Sequence, residues 1–571
     1  MDKKTLLAIV LSMAVLFVYQ TFFMQKPVPP PGQQTEQPAT QDKVAKEKPG
    51  PAQTPVASTA PSGPSGQAIL VAKTLPADDK TPEKDIRVET ALYSAAFTNK
   101  GASLKSFKLK NFSRELPENR QYQWQDLLAL FGQKEKKTIP GAGEPFELVK
   151  VLEGMPHPLA VSFPESDVNI PAEAKFETDA ESLSLTTGNE GRRLTFTKTF
   201  GNEIKVEKIF TLYPDRYNVD LEVRIYNLST RTLTQNPALN WHQWVDPKAE
   251  EDSYGHDGPV TYIGKSIDRV EVKKIEKDQM AGPDVSWAGY ESKYFISALV
   301  PQNPSLTSLL VGRDAKNMVT VSLKGPKHII PPGQTGMFFY SLFLGPKDYK
   351  ILKPMKVGLE NAIDFGDWLK WLAMPMLVVL NFLNDYVGNY GIAIIILTIL
   401  IKIIFWPLGN KSYKSMKEMQ RLQPKIAELR EKYKTDKSRM SQETMALYRA
   451  HKVNPFSGCL PMVIQIPVFF GLYKALMYAI ELRHAPFFWW IQDLSAMDPY
   501  YITPLIMGGT MFVQQKMTPA MGDPMQQKIM LLMPVIFTFM FLSFPSGLVI
   551  YWLLNNVISI GQQMYVIKKQ A

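Results

Sequence analysis

Residues 391–407 read GIAIIILTILIKIIFWP, an apolar run with one cation, Lys402, inside it. With Tyr390 in front, the run is long enough to cross a bilayer at about 1.5 Å per residue, and a lysine at its centre costs several kcal/mol unless something solvates it. Two explanations fit. Either Lys402 threads its amine to the nearer interface, where Trp406 stands, or the amine faces a wet cavity inside a helix bundle and meets a passing polar or anionic group.

Composition frames the run. The chain has 571 residues and is 45% apolar, but the first half is mixed and charged while the last third is nearly continuous hydrocarbon between short loops, as in a membrane protein with a soluble part. The net charge of +10 is too small to imply nucleic acid by itself. Much of the excess sits in 411–452, which holds twelve Lys or Arg against five Asp or Glu. The single cysteine, Cys459, excludes an intrachain disulfide and a cysteine metal site. No phosphate-binding loop, zinc-protease motif or dinucleotide fingerprint is present, so no cofactor is expected.

Residues 1–25 open with Lys3 and Lys4 and continue into an apolar stretch with no small-residue cleavage site after it, which reads as an uncleaved signal anchor with its N-terminus in the cytoplasm. Residues 26–85 are rich in Pro, Gln, Ala, Ser, Thr and Lys and read as a flexible linker. In 86–345, Tyr217, Val219, Leu221, Val223 and Ile225 alternate with polar residues, and Leu194, Phe196, Ile204 and Val206 repeat the pattern. Period-two segments between Gly, Pro and Asn turns predict a large antiparallel β-sandwich, outside the inner membrane because it follows an anchor that leads outward. His242, within NWHQW, is the natural catalytic suspect there, but a histidine among tryptophans is more often a packed side chain.

Residues 346–389 place Val357, Leu359, Ile363, Trp368 and Leu372 at helical spacing beside Lys356, Asp364, Asp367 and Lys370, which predicts an amphipathic helix along the outer interface. Residues 390–567 then supply five crossings: Tyr390–Leu408, Pro455–Ile480, Tyr500–Gln515, Ile529–Phe544 and Leu548–Ile567. With the anchor this makes six transmembrane helices, the basic stretches all cytoplasmic and the tail 568–571 cytoplasmic too. Within 411–452, Leu422, Ile426, Leu429 and Tyr433 mark one short helix and Met440, Thr444 and Leu447 another, predicting an antiparallel hairpin. Arg421, Lys425, Arg430 and Lys432 are its candidates for contact with a ribosome or a membrane surface; a merely solvated charged face is the alternative. Gln465, Gln515 and Asn556 are amides in otherwise apolar helices, and need partners from helix contacts or from a wet groove. Lys474 reads as a residue that reaches the outer surface.

Several stretches carry a resemblance: LQPKIAELREKY, KVNPFSGCLPMVIQIP, ELRHAPFFWWIQDLSAMDPYYI, TMFVQQKMTP and DPMQQKIMLLMPVIFTFMFLSFPSGLVIYW. On these, residues 388–567 resemble the YidC/Oxa family of membrane protein insertases, and the anchor, linker and β-domain match its Gram-negative form. The resemblance implies a five-helix core around a hydrophilic groove, open to cytoplasm and lipid, with a cation that attracts polar or acidic parts of the inserting chain. Lys402 stands where that family usually has arginine; it keeps the charge but loses the planar fork. Thr398 lies one turn away, and Trp552 occupies a position where relatives place an aromatic against the inserting segment.

The implied partners are nascent membrane proteins, ribosomes, the Sec translocon and lipids. The crossing Ile529–Phe544, at about 24 Å against ~30 Å of hydrocarbon, would thin the bilayer. A secondary transporter or channel is a second reading, weakened because the assigned spans contain no Asp or Glu. A membrane-anchored periplasmic carbohydrate-active protein is a third, resting on sandwich analogy alone.

Overall fold

The computed structural model describes residues 73–75, 81–113, 143–186, 188, 190–248, 255–366, 368–451, 453, 460–518 and 524–569. The expected anchor at 1–25 and most of the linker through 85 lie outside the described residues. One part of that linker is folded: Lys73–Thr74 pairs in parallel with Val168–Asn169, and Leu75 is buried. A short apolar run at 68–72 and Leu75 are too brief to set a period, so composition alone hides this.

The region from Asp85 to Pro346 is β-rich. Among the described residues its largest sheet has nine strands, with Phe295–Pro301, Thr335–Pro346, Asn218–Asn227, Ile204–Leu212 and Arg192–Phe200 at the centre. Asn218–Asn227 buries every second residue, so Val219, Leu221, Val223 and Ile225 face the core. Leu221 stands opposite Phe210 on one side and Tyr340 on the other. A five-stranded sheet packs Phe97 against this layer, its ring 4.9 Å from Phe210. A second five-stranded sheet lays Met318–Lys324 against Val285–Glu291 of the large one. Buried Lys208 pins the layers, donating to the carbonyls of Gly101, Ala102 and Leu159 at 3.1, 2.5 and 2.8 Å.

Pairing is not antiparallel throughout, as alternation alone predicts: Asp85–Glu89 also pairs in parallel with Ser182–Ser184. Alternation reports which face is buried and is silent on strand direction. His242 is half-buried, with Nδ1 3.0 Å from Thr320 Oγ1 on the neighbouring strand. Burial pushes it down to about 4, so the ring is neutral at pH 7.

The connector differs from the helix expected over 346–389. Tyr349–Leu352 is one helical turn, Lys353–Met355 and Leu359–Ala362 are 3₁₀ turns, and the long helix begins only at Lys370. Gly358 and Gly366 take left-handed backbone at φ +78° and +74°, which breaks the helix whose spacing Val357, Leu359 and Ile363 imitate. Helix α1, Lys370–Val387, buries Ala373, Met376, Leu377, Leu380 and Asn381 and exposes Trp371, Phe382 and Tyr386.

Helix α2 spans Tyr390–Arg421, with Asn389 Oδ1 accepting from the Ile392 N–H at 3.1 Å. It does not stop at Leu408. Pro407 lacks the N–H that would reach back one turn, but Gly409, Ser412, Met416 and Met419 keep packing inward and carry the helix on. Helices α3, Gln423–Lys432, and α4, Lys437–Ala450, therefore form a hairpin that starts later than residue 411. Pro424 opens α3, and Asp436 caps α4 by accepting from the Arg439 N–H at 2.9 Å.

Helices α5, Leu460–Tyr478, α6, Ile502–Met517, α7, Pro524–Phe541, and α8, Ser546–Lys569, complete the helical part. Helix α7 starts earlier and ends sooner than expected, and its 18 residues span about 27 Å. Among the described residues one helix, α2, is both long and apolar enough to cross a bilayer, so the count of six crossings rests on the sequence.

Charged and aromatic contacts join the β-rich and helical parts. Glu291, in the β-region, accepts from Arg269 at 2.6 Å and from buried Lys347 at 3.2 Å. Asp364 of the connector sits 3.9 Å from Arg269 and 3.5 Å from Lys474 of α5. Lys474 thus pairs with a carboxylate at the seam and lies over the Tyr478 ring. Beyond α5, Arg483 donates to the Ser113 carbonyl at 2.7 Å and faces the rings of Phe146, Tyr294 and Phe295.

Candidate functional site

Helix α8 carries Asn555, Asn556, Ser559, Gln562 and Gln563, all buried. The intervals between them gather these polar groups along one side of the helix, in a sequence otherwise apolar. The side chains of Asn556, Ser559, Gln562 and Gln563 make bonds that span two helices or close locally. Asn556 Nδ2 reaches Thr510 Oγ1 of α6 at 3.4 Å, and Gln563 Nε2 donates to the Met517 carbonyl at 2.9 Å. Gln562 Nε2 turns the other way, to the Trp406 carbonyl at 3.0 Å and Asn410 Oδ1 at 2.9 Å of α2.

Lys402 joins this strip. Its Nζ donates to Ser559 Oγ at 2.7 Å, and Ser559 in turn donates to the Asn555 carbonyl at 2.7 Å. The amine therefore points into the α2–α8 contact. Thr398, predicted beside it, does not meet it: its hydroxyl is buried and donates to the Ile394 carbonyl of its own helix at 2.7 Å.

Two turns before Ser559 on α8, Trp552 lies among aromatic rings of two other helices. Phe469 of α5 meets it edge-on at 4.6 Å, and Phe541 of α7 stands 5.2 Å away. The Trp552 Nε1 is buried with no hydrogen-bond partner among the described residues. Gln465 is half-buried on α5. Gln515 is half-buried on α6. So Lys402 of α2 meets α8, which itself carries Trp552 and Asn556, whereas the Thr398 hydroxyl is taken up by its own helix.

The hairpin residues lie apart from this strip. Arg421 pairs with Glu418 one turn earlier at 3.1 Å, Lys425 and Lys432 are exposed, and Arg430 is half-buried. Sequence reasoning missed Ser559. A serine in an apolar helix is unremarkable alone, and the available signal was its place in the run of polar residues from Asn555 to Gln563.

The family described as 60Kd inner membrane protein matches residues 382–571, and that described as YidC periplasmic domain matches residues 134–379. The membrane protein insertase YidC of Syntrophus aciditrophicus is 61% identical over 571 residues, covering all of both chains. The chain belongs to the YidC family of membrane protein insertases. The YidC of Geobacter metallireducens is 40% identical over 578 residues, covering 100% of this chain and 99% of that one. A crystal structure described as an active YidC insertase with its first transmembrane domain resolved covers 86% of this chain and 95% of its own, at 19% identity and a TM-score of 0.36. As a member of the YidC family the chain is an inner-membrane protein with a periplasmic domain, and that domain is the β-rich region. YidC proteins are insertases and not enzymes, which sets aside the transporter and the carbohydrate-active readings.

Proposed function

We propose that this chain inserts nascent membrane proteins, and assists their folding, through a hydrophilic groove whose cation is Lys402. In this reading α2, α5, α6, α7 and α8 cross the membrane and, with the anchor at the start of the chain, make six crossings with both termini in the cytoplasm. The polar flank of a client enters from the cytoplasm, meets the Lys402 amine, and crosses the remaining hydrocarbon where short helices thin it. Trp552 and the rings around it receive the apolar part of the client, while Gln465, Gln515 and Asn556 keep the groove wet. The protein works alone or beside the Sec translocon, and ribosomes approach the hairpin through Arg421, Lys425, Arg430 and Lys432.

One observation carries the reading. The cation inside the apolar run 391–407 turns toward a buried hydroxyl of α8, 2.7 Å away, and not along the side where Ile403 and Ile404 are exposed. A cation held inside a bundle is what an acidic or polar passenger needs. The test places a photo-crosslinking residue at position 402 or 552 of the full-length protein, with a stalled nascent membrane protein in the membrane. Adducts at both positions, stronger than at Ile404, are expected. Equal labelling at all three overturns the groove.

A further inference from the structure

We infer that Ser559 is the positioning residue for the Lys402 amine, setting the depth at which a client's acidic group is met. The inference rests on the proposed role of Lys402 and extends it to a residue on a different helix.

The geometry separates Ser559 from the other polar groups of α8. Its oxygen accepts from Lys402 at 2.7 Å while its own proton is committed to the Asn555 carbonyl at 2.7 Å. A hydroxyl used this way presents a lone pair, the one feature an ammonium group can use. Ser559 is 3% exposed, so water does not compete for that lone pair.

A lysine has a flexible four-carbon stem and three rotatable donors, so without an anchor the amine samples a range of depths and drifts toward the interface. Ser559 occupies one donor and leaves the other two for water or for a carboxylate. Release is cheap in hydrogen bonds as well. When the amine swings to a client, the serine keeps its bond to Asn555, so no buried donor is orphaned and only an acceptor lone pair is vacated. A glutamine or asparagine at 559 would hold the amine through a carbonyl but would also bury an NH₂ group that needs its own partner.

The test uses the full-length protein in membranes, with one client whose translocated flank carries a single glutamate and a matched client with glutamine there. Ser559→Ala is expected to slow the glutamate client about tenfold to a hundredfold, the range for losing one hydrogen bond to a charged group, and to leave the glutamine client at the parental rate. Ser559→Thr restores the hydroxyl and is expected to restore the rate. A second readout is carbodiimide coupling of Lys402 to the client, with the glutamate walked along the flank. The position of maximal coupling is expected to be sharp in the parent and in Ser559→Thr, and broad or shifted toward the cytoplasm in Ser559→Ala. A helix-packing role for Ser559 would slow both clients alike and leave the coupling position unmoved, and either result overturns the inference. Lys402→Met separates the two levels: if it inserts the glutamate client at the parental rate, the groove cation itself is wrong; if it is impaired while Ser559→Ala is not, only the role of Ser559 fails.

Discussion

Asp364 and Lys474 meet across the seam between the β-rich and helical parts, carboxylate to amine at 3.5 Å. Arg269 approaches the same carboxylate from the β-region at 3.9 Å, so one aspartate is shared by cations from both parts. Burial raises the Asp364 carboxyl, but Lys474 and Arg269 outweigh it and hold it below the usual range.

Asp364→Asn should loosen this seam. Removing one member of a buried cluster leaves its partners uncompensated, and with 31% of the Asp364 side chain exposed the cost is about 2 kcal/mol, below that of a fully buried pair. Thermal unfolding of the purified protein measures it. Because the folded carboxyl is depressed, the parental contribution is present above the unfolded value near 4 and is lost as pH falls through the lower folded one. The difference between parent and Asp364→Asn should therefore shrink in acid, and a gap that persists at low pH would count against this assignment.

Glu481 should give the opposite slope. It follows α5, accepts from Asn381 Nδ2 of α1 at 2.8 Å, and is pushed up to about 7 by burial and by Asp348, with Asn381 and Lys350 opposing. The folded protein holds this proton more tightly than the unfolded chain, so its contribution is complete below about 4.5 and declines as pH rises through 7. Stability measured from pH 4.5 to 8 should fall more steeply for the parent than for Glu481→Gln. Identical slopes would show that this carboxyl does not govern the docking of α1.

Gly508 should not tolerate a side chain. A Cβ there would lie 1.9 Å from Thr538 Oγ1, so α6 and α7 approach closely only because the hydrogen is all that intervenes. Gly508→Val should cost about 1 to 3 kcal/mol, with reduced abundance in membranes, and Thr538→Ala in the same chain should recover part of it. No recovery in the double variant would mean the two helices are held apart elsewhere.

The basic hairpin makes a prediction about salt. Replacing Arg421, Lys425, Arg430 and Lys432 together with alanine should weaken ribosome association, most at low ionic strength, where exposed charges act furthest. Co-sedimentation of ribosomes with proteoliposomes at graded salt measures this, and an unchanged curve at low salt makes the hairpin a solvated face.

What the sequence revealed depended on how local each signal was. The strand Asn218–Asn227 is written in its own alternation, and the apolar run from Tyr390 marks α2 without help from the rest of the chain. The end of α2 was misjudged because Pro407 and the loss of hydrocarbon character coincide, although neither stops a helix whose next turns still pack. Thr398 and Lys402 share a helix and a spacing, yet Thr398 satisfies itself on the Ile394 carbonyl, a competition that spacing does not reveal. Ser559 lies 157 positions from Lys402, and only the packing of α8 against α2 brings them together. The charges of Asp364 and Lys474 were visible, but their meeting required a connector folded into turns by Gly358 and Gly366.

The unbroken length of α2 makes it a mechanical part. Its 32 residues extend about 48 Å, well beyond ~30 Å of hydrocarbon, so on the proposed topology its last turns stand clear of the lipid as a stalk that carries the hairpin. Lys402 and Arg421 are then two points on one rod about 28 Å apart, and a swing of about 10° about a point ~21 Å before Arg421 displaces the tip by about 4 Å. Pro407, where one backbone hydrogen bond is missing, lies between them and is the natural fulcrum. On the proposed topology, a load applied at the hairpin would change the angle of α2 near the amine, with no chain of side-chain contacts needed to transmit it.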